Sequence, residues 1–258
     1  MAVELTVLLE NTTRDSRLEA EHGLSMLVET PTTKFIFDCG QSEMTWRNAA
    51  RLKLDLSTVD FVVLSHSHYD HAGGYRSMPV KPKILYTGKN FWDEKFSAVD
   101  GGYKYRGAGF VQNDLDGWSV RQKICNDRLD IGDGLYLIGK FGRKYPFETI
   151  PKKFVRGVDK RPDPFDDEVC LAIRGRDGLT VIAGCSHVGI LNIVLTVHGR
   201  LNYPVVGVVG GIHLANENPA RIDATLNGLK NLGVKNLRLC HCSGRSDIST
   251  GSKIIIED

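Results

Sequence analysis

The chain has 258 residues, of which 41% are hydrophobic and 25% are charged, and its formal net charge is +2. This composition is typical of globular proteins and excludes collagen-like and disordered chains. The balanced charge gives no reason to expect binding to nucleic acid or a membrane surface. No stretch approaches the roughly 20 apolar residues that cross a bilayer.

The N-terminus and the cysteines favour a cytoplasmic location. Met1–Leu5 lacks the basic region and apolar stretch of a signal peptide. A chain of this size needs no disulfides for stability, so we expect reduced thiols. The sequence predicts no oligomeric state.

Short apolar runs typical of β-strands alternate with helical patterns, which predicts an α/β fold. Phe61–Ser65 is a continuous apolar run, typical of a strand buried on both faces. The other predicted strands are Val3–Leu9, Ser25–Thr30, Lys34–Asp38, Lys83–Tyr86, Leu135–Ile138, Val169–Ile173, Leu179–Ala183, Val205–Val209 and Asn236–Cys240.

The clearest predicted helix is Pro219–Leu232, which carries apolar residues on one face. Asn218 can cap its start and Gly233 can end it. The other predicted helices are Val188–His198, which Gly199 would end, and Glu43–Leu52.

Two stretches do not follow this alternation. Residues 101–117 are rich in Gly and Tyr, and residues 143–167 contain four prolines and many charges. We predict that both are loops inserted into a single domain covering residues 1–258, where they would lie over one end of the sheets.

The residues with the clearest chemistry follow the buried strand directly. His66, His68, Asp70 and His71 place three imidazoles and a carboxylate within six residues. This donor set suits a divalent metal, zinc above all, with manganese or iron as alternatives. On extended backbone His66 and His68 share a face, and the following turn can present Asp70 and His71 to a second ion. A histidine-rich surface loop is the less favoured alternative.

The pattern His-x-His-x-Asp-His after a hydrophobic strand resembles the metallo-β-lactamase superfamily. Four other segments are similar to its branch that contains the archaeal dihydropteroate-synthase-like enzymes, many of them described only as metal-dependent hydrolases. The resemblance extends from about Val3 to Gly244 and implies a four-layer αββα sandwich with one or two metal ions at one edge of its sheets. The four segments are Glu21–Ser25, Phe37–Gly40, Gly184–His187 and Gly210–Leu214.

The resemblance implies roles for the motif residues. His66 and His68 would bind the first ion, and Asp70 and His71 the second. In the superfamily an aspartate at the end of the preceding strand orients the site through hydrogen bonds, the role predicted for Asp38. A solvated carboxylate at the strand end is the alternative.

The remaining ligands must come from later histidines, because none lies between His71 and His187. His187 follows the strand at 179–183 in a turn, which suits the third ligand of the first ion. His241 lies just past the last strand, like the final ligand of the superfamily. His198, at a helix end that favours a cation, is predicted to be structural.

Cys185 departs from the family pattern. Many members place a metal-bridging aspartate in the turn after this strand, so the Cys185 thiolate could bridge or bind a metal. A small buried residue is the alternative, and filling of both metal sites stays open. Cys240 and Cys242 are predicted to be packing residues, because alternate positions would direct their thiols away from His241.

Two further histidines and a basic stretch complete the predicted site. Some superfamily phosphodiesterases use a histidine placed comparably to His213 to protonate the leaving group; a hydrogen-bonded loop histidine is the alternative. His22 is predicted to line the pocket. The basic stretch between Lys140 and Arg161 would attract phosphate or carboxylate groups, although a solvated loop is slightly favoured.

These features predict metal-dependent hydrolysis of a small, anionic substrate, with a phosphoester as first choice. Bound metal would lower the pKa of water to about 7, and Asp70 could orient the resulting hydroxide. Asp70 and His213 are therefore the predicted catalytic residues. The alternatives are a transferase that joins a pterin to an aminobenzene-type acceptor, a lactone or thioester hydrolase, and a metal or redox protein without hydrolytic turnover.

Overall fold

A computed structural model describes residues 2–257 and confirms the α/β class. Its first sheet has seven strands in the order β17-β1-β2-β3-β4-β5-β8. The strands are β1 Val3–Leu9, β2 Ser25–Glu29, β3 Lys34–Cys39, β4 Phe61–Val63, β5 Ile84–Gly88, β8 Arg121–Cys125 and β17 Lys253–Ile256.

The second sheet has six strands in the order β16-β15-β14-β13-β10-β9. The edge strand β16 and its neighbours β15 and β14 run parallel to one another, and the other strand pairs of this sheet are antiparallel. The strands are β9 Arg128–Gly132, β10 Leu135–Ile138, β13 Cys170–Gly175, β14 Gly178–Ala183, β15 Val205–Gly210 and β16 Asn236–Leu239.

A third sheet of four short strands has the order β12-β11-β6-β7. It is built largely from the two stretches predicted as loops, so that prediction was wrong for part of each stretch. The strands are β6 Lys95–Val99, β7 Gly102–Tyr105, β11 Phe154–Arg156 and β12 Arg161–Pro162.

Helices cover the outer faces of the two large sheets. Trp46 and Ala49 of the first helix pack on the first sheet, and Leu191 and Val194 of the fourth helix pack on the second. The helices are α1 Met44–Arg51, α2 Tyr69–Ala72, α3 Asp114–Gly117, α4 Ile190–Leu201 and α5 Pro219–Asn231. Among residues 2–257, none of these helices is long and apolar enough to cross a membrane; the cytoplasmic location stays a prediction.

The side-chain alternation of the strands explains the layers. In β3, Phe35 and Phe37 point into an apolar cluster shared with Leu135 and Leu171 of the second sheet, whereas Ile36 points to the helix-covered face. Because both faces of these strands are buried, the sequence reads as continuous apolar runs. The result is the four-layer αββα sandwich that the resemblance implies.

The helix ends follow local chemistry, with one correction. Asn218 caps α5 as predicted, since its side chain accepts a hydrogen bond from the Arg221 N–H. The helix α4, however, continues through Gly199 to Leu201 and is capped by Asn202, whose left-handed backbone has φ 55°. An internal glycine costs a helix only about 1 kcal/mol, and asparagine tolerates the left-handed conformation.

Candidate metal centre

The predicted site residues meet where parallel strands of both large sheets reach their carboxyl ends. Strands β3 and β4 of the first sheet lead to Asp38 and to the segment His66–His71. Strands β14 and β16 of the second sheet lead to His187 and His241. In open α/β sheets, ligands bind at such edges.

The first cluster comprises His66, His68 and His187. One ring nitrogen from each lies within 4.8 Å of the other two, and the three residues are at most 6% exposed. The Nε2 atoms of His66, His68 and His187 are buried without a hydrogen-bond partner. Burial lowers the pKa of each imidazole, to about 3 for His68, so all three are neutral and able to bind a cation.

The second cluster comprises Asp70, His71 and His241, with His22 at its exposed side. The His71 and His241 Nε2 atoms are 3.1 Å apart, and Asp70 Oδ2 lies 3.3 Å from His241 Nε2 and 3.1 Å from His22 Nε2. Burial works against ionisation of Asp70, but His71 and hydrogen bonds from His22 and His241 hold its pKa well below the usual range. A carboxylate is therefore available beside two imidazoles.

Asp38 lies behind the second cluster. Its Oδ2 accepts a hydrogen bond of 2.7 Å from His71 Nδ1, which leaves the His71 Nε2 atom facing the cluster. Gly184 approaches this carboxylate so closely that an added Cβ would lie 2.9 Å from Asp38 Oδ2 and 2.2 Å from Ser65 Oγ. This geometry suits the predicted role of Asp38, which is to orient the His71 ring through a hydrogen bond. The role itself stays a prediction.

Two side chains that sequence reasoning missed hold His241. Asn11 Oδ1 lies 3.0 Å from His241 Nδ1, so the Nε2 atom faces Asp70. The buried Glu10 accepts a 2.7 Å hydrogen bond from the His241 N–H. Nothing local to residues 10 and 11 signals this contact, because the sequence separation exceeds two hundred residues.

Cys185 lies between the clusters. Its Sγ atom is 3.1 Å from His71 Nε2 and within 4.8 Å of ligand atoms of His66, His187 and His213. Burial and the neighbouring Cys242 thiol raise the pKa of Cys185 well above its usual range, which favours the neutral thiol.

Cys242 corrects one prediction. Cys240 is buried in the core, as expected of a packing residue, but Cys242 lines the cavity and lies within 4.8 Å of Cys185 and His241 ligand atoms. Strand β16 ends at Leu239, and His241 takes a left-handed conformation with φ 55°. The strand alternation assumed for this triplet therefore does not extend to Cys242.

His213 opens into the same space. Its ring centroid lies 4.3 Å from that of His187, and its Nδ1 atom is buried without a partner. Its backbone N–H donates to Cys242 Sγ at 3.3 Å, which fixes the loop. The side chain is free to bind a ligand or exchange a proton.

A buried lysine that sequence reasoning missed supports the first cluster. Lys95 is fully buried, and its Nζ lies 2.8 Å from both Asp163 and Asp167. Asp167 Oδ2 accepts hydrogen bonds from the N–H and Oγ of Ser67, between the two motif histidines. Phe165, whose N–H donates to Asp163, stacks on the His187 ring at 3.9 Å.

Both clusters open on one cavity of about 660 Å³, and His68, Cys185, His213 and Cys242 are among the side chains that line it. His22, Asp70, His187 and His241 line its floor, and strands of the third sheet form a wall. The donors fit a divalent ion: three buried imidazoles with unpartnered Nε2 atoms form one group, and a carboxylate with two imidazoles forms the other. Imidazole, thiol and carboxylate ligands in this number suit zinc.

Comparison with known proteins points to one family. A family model described as the metallo-beta-lactamase superfamily matches residues 18–84. A protein with a crystal structure, described as a metal-dependent hydrolase of the beta-lactamase superfamily, is 30% identical to the chain and superposes with a TM-score of 0.85, covering 99% of this chain and 100% of that one.

Two archaeal relatives come from Methanocaldococcus jannaschii. One is named 7,8-dihydropterin-6-methyl-4-(beta-D-ribofuranosyl)-aminobenzene-5'-phosphate synthase; it is 28% identical over 87% of this chain and 82% of its own length. The other is an uncharacterized protein, 27% identical over 93% of this chain and 90% of its own length. These matches agree with the predicted archaeal branch.

The His-x-His-x-Asp-His segment, the αββα layers and the full-length match at 30% identity lead to one conclusion. This chain belongs to the metallo-β-lactamase superfamily.

Proposed function

We propose that the chain is a metal-dependent hydrolase that cleaves a phosphoester bond in a small anionic substrate. The observation that carries the proposal is the cluster of His66, His68 and His187, which bring one ring nitrogen each within 4.8 Å of the other two and whose Nε2 atoms are buried without a hydrogen-bond partner. Unpaired polar atoms in a protein interior are costly, so three clustered imidazoles with such atoms support a bound cation.

The residues divide into two holding sets. His66, His68 and His187 would hold the first ion, and Asp70, His71 and His241 the second, with Cys185 between them. When bound, divalent ions supply Lewis acidity to a phosphoryl oxygen and to water.

The chain's own groups would carry the proton transfers. Asp70 has an ionised carboxylate at the cavity floor, where it can accept a hydrogen bond from the attacking water and orient it. His213 lines the same cavity with a free Nδ1 atom, where it can give a proton to the departing oxygen.

A transferase is the second candidate, favoured by one relative. The archaeal protein named as a dihydropterin synthase aligns over most of both chains. Phe154 lies at the cavity, with its ring 5.8 Å from that of His213, and an aromatic ring there could stack on a pterin.

A panel assay tests the proposal. Zinc- or manganese-loaded protein is given bis(p-nitrophenyl) phosphate, p-nitrophenyl phosphate, a lactone and a thioester, and its visible spectrum is recorded. We expect a colourless protein with chelator-sensitive phosphoesterase activity.

The double variant His66→Ala/His68→Ala should lose the activity and the bound metal. His198→Ala is the matched control, because this exposed histidine contacts the Tyr203 carbonyl at a helix end. Full activity in the double variant would overturn the proposal. An iron chromophore without turnover would favour a redox protein, and pterin condensation would favour the transferase.

A further inference from the structure

The third sheet gives the cavity a wall with a distinct chemistry. Ser97 of β6, together with Arg106, Lys153 and Phe154, lines the space above the histidine clusters. Phe154 pairs with Ser97 across the sheet, and the Ala98 N–H donates to the Lys153 carbonyl at 2.7 Å. Arg106 and Lys153 therefore flank one strand at the cavity.

Arg106 is held in place without a charged partner. Its Nε donates to Ser97 Oγ at 2.9 Å, and its guanidinium carbon lies 5.6 Å from the centre of the Tyr69 ring. Among residues 2–257 it forms no ion pair with a carboxylate. Two neutral hydroxyls orient the guanidinium, and its positive charge is left for a ligand.

Lys153 differs from the other basic residues of its stretch. Arg143 donates to the carbonyls of Val188 and Pro164, and Arg156 pairs with Asp166. Lys153 lines the cavity, is 5.3 Å from the Phe154 ring centre, and has no carboxylate partner in the described chain. Of this basic stretch, it is Lys153 that can serve the cavity.

We propose that Arg106 and Lys153 form an anion subsite that binds a second acidic group of the substrate, a phosphate or a carboxylate. The proposal rests on the proposed function for the reacting end, which the histidine clusters would take. Guanidinium and ammonium donors that line one cavity can bind an anionic oxygen group through charge-assisted hydrogen bonds, and the partly enclosed cavity strengthens the attraction. The substrate is then acidic at two places.

Matched ligands with one or two anionic ends test this subsite. Zinc-loaded full-length protein is titrated calorimetrically with alkylphosphonates and with α,ω-alkylene bisphosphonates of the same chain lengths. We expect the best bisphosphonate to bind about tenfold more tightly than its matched alkylphosphonate, the gain expected of charge-assisted hydrogen bonds. ω-Phosphonocarboxylates form a third arm, which identifies whether a carboxylate or a phosphate is preferred.

Substitutions test whether Arg106 and Lys153 cause the tighter binding of ligands with two anionic ends. Arg106→Ala/Lys153→Ala should remove the preference for the second anionic end, and the exposed Lys153→Ala alone should reduce it without risk to folding. Lys152→Ala is the matched control. The Lys152 side chain is next to Lys153 in the sequence but does not line the cavity, so this variant should keep the preference.

Equal affinity for both ligand types in the unmodified protein, or a preference that survives in the double variant, would overturn the subsite. A preference that depends on Arg106 and Lys153 in a protein without phosphoesterase activity would retain the subsite and reject the hydrolase.

Discussion

Asp38 receives three hydrogen bonds at a point that water does not reach. The Ser65 N–H donates to Oδ1, and Ser65 Oγ and His71 Nδ1 donate to Oδ2, each at 2.7 Å. Its backbone is left-handed, with φ 59°, a conformation that asparagine also adopts readily. Asp38→Asn thus removes the negative charge and replaces one acceptor oxygen by an amide group, while the backbone conformation is kept.

We predict that Asp38→Asn weakens zinc binding by about 10- to 100-fold, as loss of such outer hydrogen bonds does in other metal sites. The reason is that the amide cannot hold the His71 ring in the tautomer that exposes Nε2. Competition with a chromophoric chelator measures the affinity. Asp60→Asn is the control, because this exposed aspartate accepts a hydrogen bond from the Lys34 N–H at the start of β3, at the other end of that strand from Asp38. Equal affinities in both variants would contradict the prediction.

For single residues, the sequence predicts those site residues that are close together in the chain. His66, His68, Asp70 and His71 stand together in the chain, and the structure brings them together with His187 and His241. Asn11, Lys95 and Cys242 escaped prediction because their contacts depend on which distant segments meet. A buried lysine in particular has no sequence signal, since its carboxylate partners lie about 70 residues later.

Helix α4 begins with an unusual arrangement. Its first turn has no capping side chain of its own; the N–H groups of Leu191 and Asn192 donate instead to the buried Glu148, at 2.9 Å each. Gly189 is required beneath it, because its φ is 92° and an added Cβ would lie 2.2 Å from Glu148 Oε2. The stretch predicted as a loop therefore caps a distant helix.

We predict that Glu148→Ala lowers the free energy of unfolding by about 1–3 kcal/mol, because two buried N–H groups lose their acceptor. Urea unfolding followed by circular dichroism measures the change. Glu43→Ala, at the start of α1, removes an exposed glutamate that pairs only with Arg47, and should change stability by no more than about 0.5 kcal/mol. Equal losses in the two variants would refute the capping role.

Element prediction succeeded where a segment carries its own pattern. The Asn218-Pro219 start and the apolar face predict α5, and the continuous apolar run Phe61–Ser65 predicts β4. The third sheet could not be predicted, because strands such as Arg161–Pro162 are too short to show alternation. Its pairing of β6 with β11 also joins segments more than 50 residues apart.

Across the whole molecule, Glu168 links stability to pH. It is 2% exposed and accepts the N–H groups of His187 and Val188. Burial raises its pKa from 4.5 to about 7. An acid with a raised native pKa is protonated more in the native than in the unfolded chain, so the native state loses stability as pH rises through that interval.

We predict that unmodified protein loses about 3 kcal/mol of stability relative to Glu168→Gln between about pH 4 and pH 8. Taking the difference between the two proteins cancels the titration of all other groups. Denaturant unfolding of metal-free protein at several pH values measures it. Two parallel stability curves would show that Glu168 does not titrate in this range.

The layered architecture itself was predicted through the resemblance rather than through periodicity. Apolar runs indicate buried strands but do not say how thirteen of them divide between two large sheets. The His-x-His-x-Asp-His motif predicted the division between the two sheets, because it indicates a family whose layered architecture is known.

The cavity floor also sets an order of events in biosynthesis. His66 and His68 leave the ribosome more than a hundred residues before His187, and His241 follows later still. The nascent protein therefore lacks the third imidazole of one group until His187 has been translated, and the final ligand of the other until His241 has been translated. Tight capture of an ion must follow synthesis of strand β16, so a loaded centre marks a chain translated at least through His241.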